Sequence, residues 1–445
     1  MAAMSDARLG AVRRLIEQVP DGAIRKLETA LALSGRAEGA MGLVQDMVGA
    51  EILDRRVRAQ VFSPILPMFR PPADGMERLA FPAAALGLSW AALKAVRPEM
   101  VAGARRAFAT LRRDEEPPEV FDDLCRRLAE GLREDQAPFA GLAAAFPDAA
   151  ARGRFVDVVA LAPLARQAVQ RLPDWVATLN NDHAAAIRLA FRDAVAIGED
   201  AGPTFVEILF GHLQHPYEVL RLISLVMERP GDRYLAASEL ATFGERLLSD
   251  LERRIEGIRR FDAARGLEGG VALAASVQTA TCIVNEFEEW LAIKREGPWG
   301  SRLHAHMRAL ASAVEARLRE VEPAVAAALP LQPARSKAMR AQPDLAADPG
   351  PAAAAKAQAL MAFLYESRHA AGYGGFASVR SKVIEALDPR IEQYAEDLLD
   401  RLHAEGDEAL EDRIRARLAL AAEFLGLVRD PRAAELLRRR AAAAA

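Results

Sequence analysis

The sequence predicts an all-α fold, and three observations carry that prediction. Ala, Leu, Arg and Glu, the best helix formers, dominate the chain, while Val, Ile and Thr are scarce beside them and aromatics are only 6%. Apolar residues recur every three or four positions over long stretches, and alternating runs of the β type are nearly absent. Prolines and glycines stand where helices would begin and end.

With 445 residues, the chain is too long for one ordinary core and implies two or three domains or one extended helical body. An apolar fraction of 51% is enough to bury a substantial core, and 27% charged residues argue against disorder throughout. The basic residues are 52 Arg against 6 Lys, which, with the excess of Ala, suggests a GC-rich bacterial genome. A net charge of −4 and a pI near 6.1 argue against nucleic acid as the main ligand. Cys125 and Cys282 are the only cysteines, which excludes a disulfide framework and suits a reducing cytoplasm. The N-terminus, MAAMSDARLGAVRR, reaches charge too soon for the apolar core of a secretory signal. The longest uncharged stretches, 79–93 and 269–285, fall short of the roughly 20 strongly apolar residues of a membrane span and are expected to be buried helices.

Along the chain, residues 1–230 read as a body of six to nine short helices, interrupted by prolines at 63–72, 114–119, 145–150 and 171–175. No fixed repeat period is present, so an irregular bundle is expected. Residues 231–329 read as long antiparallel helices continuing that body. Leu240, Phe243, Leu247, Leu251, Ile255, Ile258 and Phe261 mark the first, with the pairs Asp250–Arg254 and Glu256–Arg260 on its surface. Gly266, Gly269 and Gly270 are expected to stop it. A second helix carries Val277, Ala280, Val284, Phe287 and Leu291. A third runs from Leu303 to Val325, with Pro323 kinking or restarting it. Residues 330–356 hold five prolines and no apolar period, and read as an extended or disordered linker. A C-terminal helical module, 357–445, follows. In it, 385–412 has eleven acids against two arginines, a net of −9, and 413–440 has eight arginines against three acids, a net of +5.

Metal-binding candidates are few. His212 and His215 lie three apart, but Pro216 suits the first turn of a helix with His215 or Gln214 at its cap, so the pair spans a junction and does not share one face. Asp122 and Asp123 resemble the start of an aspartate-rich magnesium motif, yet Arg126 and Arg127 stand where the further acids should be. His304 and His306 point about 200° apart on a helix. Asn181 or Asp182 is the expected N-cap of the helix that follows, and GYGGF (372–376) is a helix break that lacks the context of a phosphate loop. No catalytic residue, metal or cofactor is therefore expected. The reading that fits is a bacterial, cytoplasmic, non-enzymatic protein that binds a protein partner through helical surfaces, as scaffold, adaptor or regulatory subunit, with Glu405, Glu408 and Glu411 as candidate partner-binding residues. Self-association stays open. The alternative is an all-α enzyme or small-ligand binder whose site is assembled from distant residues.

Overall fold

The computed structural model describes the chain apart from residues 1–5, 34, 36–37, 73–74, 113–114, 199, 228–230, 334–339, 405–406 and 445. It is all-α: 79% helical, with 19 α-helices and no strand among the described residues. The chain divides into two compact units, 1–226 and 227–445.

The first unit holds ten described helices, more than the six to nine read from the sequence: α1 (Asp6–Gln18), α2 (Asp21–Leu33), α3 (Ala40–Val61), α4 (Ala83–Val96), α5 (Pro98–Thr110), α6 (Glu119–Arg133), α7 (Ala149–Ala177), α8 (Asn181–Val195), α9 (Ala201–His212) and α10 (Val219–Val226). Pro118 immediately precedes α6, and Asp148 caps α7 by accepting from Ala151 N at 2.6 Å. Pro173, expected to break a helix, instead lies inside α7 near its C-terminal end. There it removes only one late backbone bond, and buried Leu172 and Trp175 hold the turn in place. The core is aromatic, with Phe155 of α7 at 5.4 Å from Phe81 and 5.1 Å from Phe146, centroid to centroid.

In the second unit α11 (Asp232–Ala236) precedes α12 (Ala241–Arg259), α13 (Gly266–Trp290), α14 (Gly300–Arg319), α15 (Val321–Ala328), α16 (Gly350–Glu366), α17 (Ala377–Ala404), α18 (Glu408–Val428) and α19 (Pro431–Ala443). In α12 the expected stripe is buried at Phe243, Leu247, Leu251, Ile255 and Ile258, and both expected pairs form, Glu256–Arg260 at 2.6 Å on the surface and Asp250–Arg254 at 2.8 Å with Asp250 buried in place of the surface position expected for it. Pro323 lies in the first turn of α15, restarting the chain after α14.

Two expectations are corrected here. Gly269 and Gly270 do not stop a helix: they lie inside α13, where a Cβ on Gly270 would stand 1.9 Å from the Ala359 carbonyl oxygen of α16. Gly270 admits the close approach of α16, Gly269 lies against Arg265 of the preceding turn, where a Cβ would stand 2.8 Å from the Arg265 Cβ, and Gly266, with φ +59°, sits at the chain reversal. The stretch 330–356 is also not a free linker where it is described. Its last seven residues begin α16, Pro343 and Leu345 are buried, and Leu331 pairs with Pro343 in an isolated bridge. Pro343 lies in the part that precedes α16, Pro349 caps that helix and Pro351 sits in its first turn.

One helix, Ala263–Trp290, is long and apolar enough to cross a membrane by composition, at a mean hydropathy of 1.4, and half of that window is buried inside the structure, where α13 packs on α12, α14 and α16.

Candidate functional site

The residues singled out in the sequence do not converge. His212 ends α9, and its Nε2 donates to the Pro64 carbonyl at 2.6 Å; burial lowers its pKa, partly opposed by that bond. His215 is exposed, caps the 3-10 turn Pro216–Glu218 and stacks on Tyr217 with ring centroids 5.1 Å apart. The two rings thus serve separate structural tasks. Asp122 binds buried Arg166 at 2.7 Å, and exposed Asp123 pairs with Arg126 at 2.6 Å. His304 Nδ1 donates to the Gly300 carbonyl at 2.9 Å. Among the described residues no group of three or more His, Cys, Asp and Glu could hold a metal ion. The cap of α8 is Asn180, which accepts from His183 N at 2.8 Å, in place of Asn181 or Asp182. Cys125 is fully buried, and burial pushes its thiol up to about 12, which leaves it inert as a nucleophile.

In the C-terminal module the opposed charges meet one another. Arg429 at the end of α18 binds Asp388 and Glu392 of α17, the latter at 2.6 Å, and Arg440 of α19 binds Glu396 at 2.5 Å. The bonds from these arginines hold the Glu392 and Glu396 carboxyls below the usual range. Of the three candidate docking acids, Glu405 lies outside the described residues. Glu408 is exposed in the first turn of α18, where its charge suits the helix dipole, and Glu411 binds Arg415 at 2.7 Å.

The surface that periodicity alone did not reveal is at the other end of the chain. α1, α2 and α3 share a small core in which Ile16, Ile24, Val48 and Ile52 are buried and Val12, Val19, Leu31, Val44 and Met47 pack against them partly buried. Such a core cannot cover the apolar residues these helices carry. Six of the fifteen large exposed apolar side chains described in the whole protein therefore fall between positions 15 and 53: Leu15, Leu27, Leu33, Met41, Leu43 and Leu53. Arg55 fixes the arrangement, since its guanidinium donates to the carbonyls of Val19 at 2.7 Å and Glu17 at 3.1 Å and pairs with Asp21 and Glu51, both at 2.7 Å.

A groove runs along each side of α3. One, about 500 Å³, has Ile16 of α1 and Leu43, Met47 and Ala50 of α3 on its apolar side and the charged groups of Arg13, Glu17, Asp46 and Glu51 along its rim, and closes on Asp54, Lys94 and Arg105. The other, about 340 Å³, lies between Leu31 and Ala32 of α2 and Gln45, Val48 and Gly49 of α3. Gly49 keeps the second groove open, because a Cβ there would meet nothing within 4 Å. At the end of the first groove buried Asp54 accepts from Lys94 Nζ at 3.0 Å and from Arg105 Nε at 3.0 Å. Burial alone would raise the Asp54 carboxyl, but the bonds from Arg105 and Lys94 outweigh it and hold the group below the usual carboxylate range.

A smaller cleft of about 300 Å³ lies between α9 and the turn Leu66–Phe69, lined by Ser63, Pro67, Met68, Glu207 and His212 among others. Its floor includes the Glu207 carboxylate, which accepts from Leu79 N at 2.7 Å.

No family model, curated protein or solved structure matches this chain.

Proposed function

We propose that this protein binds another protein, as scaffold, adaptor or regulatory subunit, and that the grooves flanking α3 take an amphipathic helix of the partner. The observation that carries the reading is the pair of grooves, the first with exposed Leu43 on its wall, on a three-helix surface where Leu15, Leu27, Leu33, Met41 and Leu53 are also uncovered. An amphipathic helix is the complement of such a surface, because its apolar face enters a groove through residues spaced at i, i+3, i+4 and i+7. The charged end at Lys94, Arg105 and Asp54 would set direction more than affinity.

The test is to fill one groove without disturbing the fold. In Gly49→Leu the new side chain enters open space on a helix, where leucine is also the better helix former by about 1 kcal/mol. Partners recovered from the native host by wild type should be lost with Gly49→Leu and kept with Leu436→Glu, an exposed change on α19. Equal recovery by all three proteins would remove α3 as the docking site.

A second reading is favoured by the cleft beside His212, which residues of 63–72, 78–80 and 207–212 assemble from distant parts of the chain. Its volume suits a small molecule. Under that reading, a ligand found by thermal-shift screening would lose its effect in Gly211→Phe, which fills the cleft wall.

A further inference from the structure

Residues 340–349 cross α17 and α18 as an extended strap, and arginines from both helices take up its backbone. Arg401 donates to the Pro343 carbonyl at 3.1 Å and to Gln342 Oε1 at 2.8 Å, and Arg413 reaches the Leu345 carbonyl at 3.4 Å. Arg417, itself buried, donates to the carbonyls of Asp344 and Ala347 and lies 3.4 Å from the Tyr394 hydroxyl. Arg340 pairs with Asp397 of α17. From the strap only Pro343 and Leu345 are buried, while the Asp344 carboxylate accepts from Ala346 N and Ala347 N and the Asp348 carboxylate from Gly350 N, so both acids hold the strap's own turns.

We propose that the α17–α18 surface is a binding groove for an extended peptide of a partner protein that carries a Pro-x-Leu core, occupied in this chain by its own 340–349 segment. Guanidinium groups donating to carbonyls read an extended backbone whatever its sequence. Selectivity comes from the site that Leu345 fills, from a proline two residues before it, and from a cation placed like Arg340 to meet Asp397. The strap is suited to exchange because it buries two side chains and, among the described residues, is joined to the chain before it by two backbone bonds, Gln332 N to the Gln342 carbonyl and Asp344 N to the Pro330 carbonyl, so its local opening uncovers far less apolar surface than unfolding of the helices. When it leaves, Arg417 retains only the Tyr394 hydroxyl among its described hydrogen-bond partners, and a buried guanidinium short of acceptors favours rebinding of a strap or of a peptide like it. This inference is independent of the α3 grooves and survives their failure.

The experiment titrates full-length protein into a fluorescein-labelled peptide of residues 340–350, RAQPDLAADPG, and follows anisotropy. In Leu345→Asp the strap loses its anchor while the groove is intact, so the peptide should bind at least about 10-fold more tightly than to wild type, whose groove is free only a small part of the time. Adding Arg417→Met to Leu345→Asp should abolish binding, as should replacing the peptide's leucine by aspartate. Circular dichroism checks that each variant is folded, and Leu345→Ser replaces Leu345→Asp if the aspartate variant is not. A folded strap variant that binds no peptide, or binds it no better than wild type, would overturn the proposal. So would a wild-type chain that forms dimers dependent on Leu345, which would make the occupant a second copy of this protein.

Discussion

Gly270 of α13 meets the backbone of Ala359 of α16 so closely that a Cβ on the glycine would stand 1.9 Å from the Ala359 carbonyl oxygen. Neither backbone can yield without moving a helix. Gly270→Ala should therefore destabilise the second unit by about 1–3 kcal/mol or more, despite alanine's better helix propensity. Gly257→Ala on the exposed face of α12, where a Cβ meets nothing within 4 Å, should stabilise by about 0.5–1 kcal/mol. Urea denaturation of both variants checks the pair, and equal effects would mean that α13 and α16 do not pack through Gly270.

The Asp54 carboxylate links α3 to Lys94 of α4 and Arg105 of α5. Its pKa is lower folded than in the unfolded chain, where it is about 3.9. The stability it contributes is thus fully present above pH 4 and is lost as pH falls through the folded value. Asp54→Asn should cost about 1–3 kcal/mol at pH 7, and the gap to wild type should narrow below pH 4. Denaturant midpoints measured from pH 7 to pH 3 test this, and a gap independent of pH would show that charge is not what Asp54 supplies.

The C-terminal module weighs charge against packing. Arg429→Met removes partly exposed pairs with Asp388 and Glu392, worth about 0.2–1 kcal/mol each and screened by salt. Phe424→Ala empties a fully buried site in α18 and should cost about 3–5 kcal/mol, nearly independent of salt. Melting curves at low and high salt separate the two. A larger loss from Arg429→Met would reverse the ranking.

How much of this could be read beforehand depended on whether the signal was local. α12 was legible residue by residue, because its stripe and its i, i+4 pairs are properties of one helix. Pro216 and His215 announced a helix start for the same reason. Gly269 and Gly270 misled, since a glycine pair looks alike whether it ends a helix or admits a neighbour, and the neighbour, Ala359, is about 90 residues away. The strap misled because prolines exclude a helix without saying whether arginines elsewhere will hold the chain. The α3 grooves left no mark in the sequence beyond leucines a little too frequent for the small core beneath them.

The most direct measurement of whether α3 docks a partner is site-specific photo-crosslinking in the native host, with a benzophenone amino acid placed at Leu43 or at Gly49 in the two grooves, and at Leu436 on α19 for comparison. If α3 docks a partner, one discrete protein is crosslinked from both groove positions and not from Leu436, and the crosslinked segment of that protein is an amphipathic helix. No adduct from either groove, or the same adducts from Leu436, would contradict it.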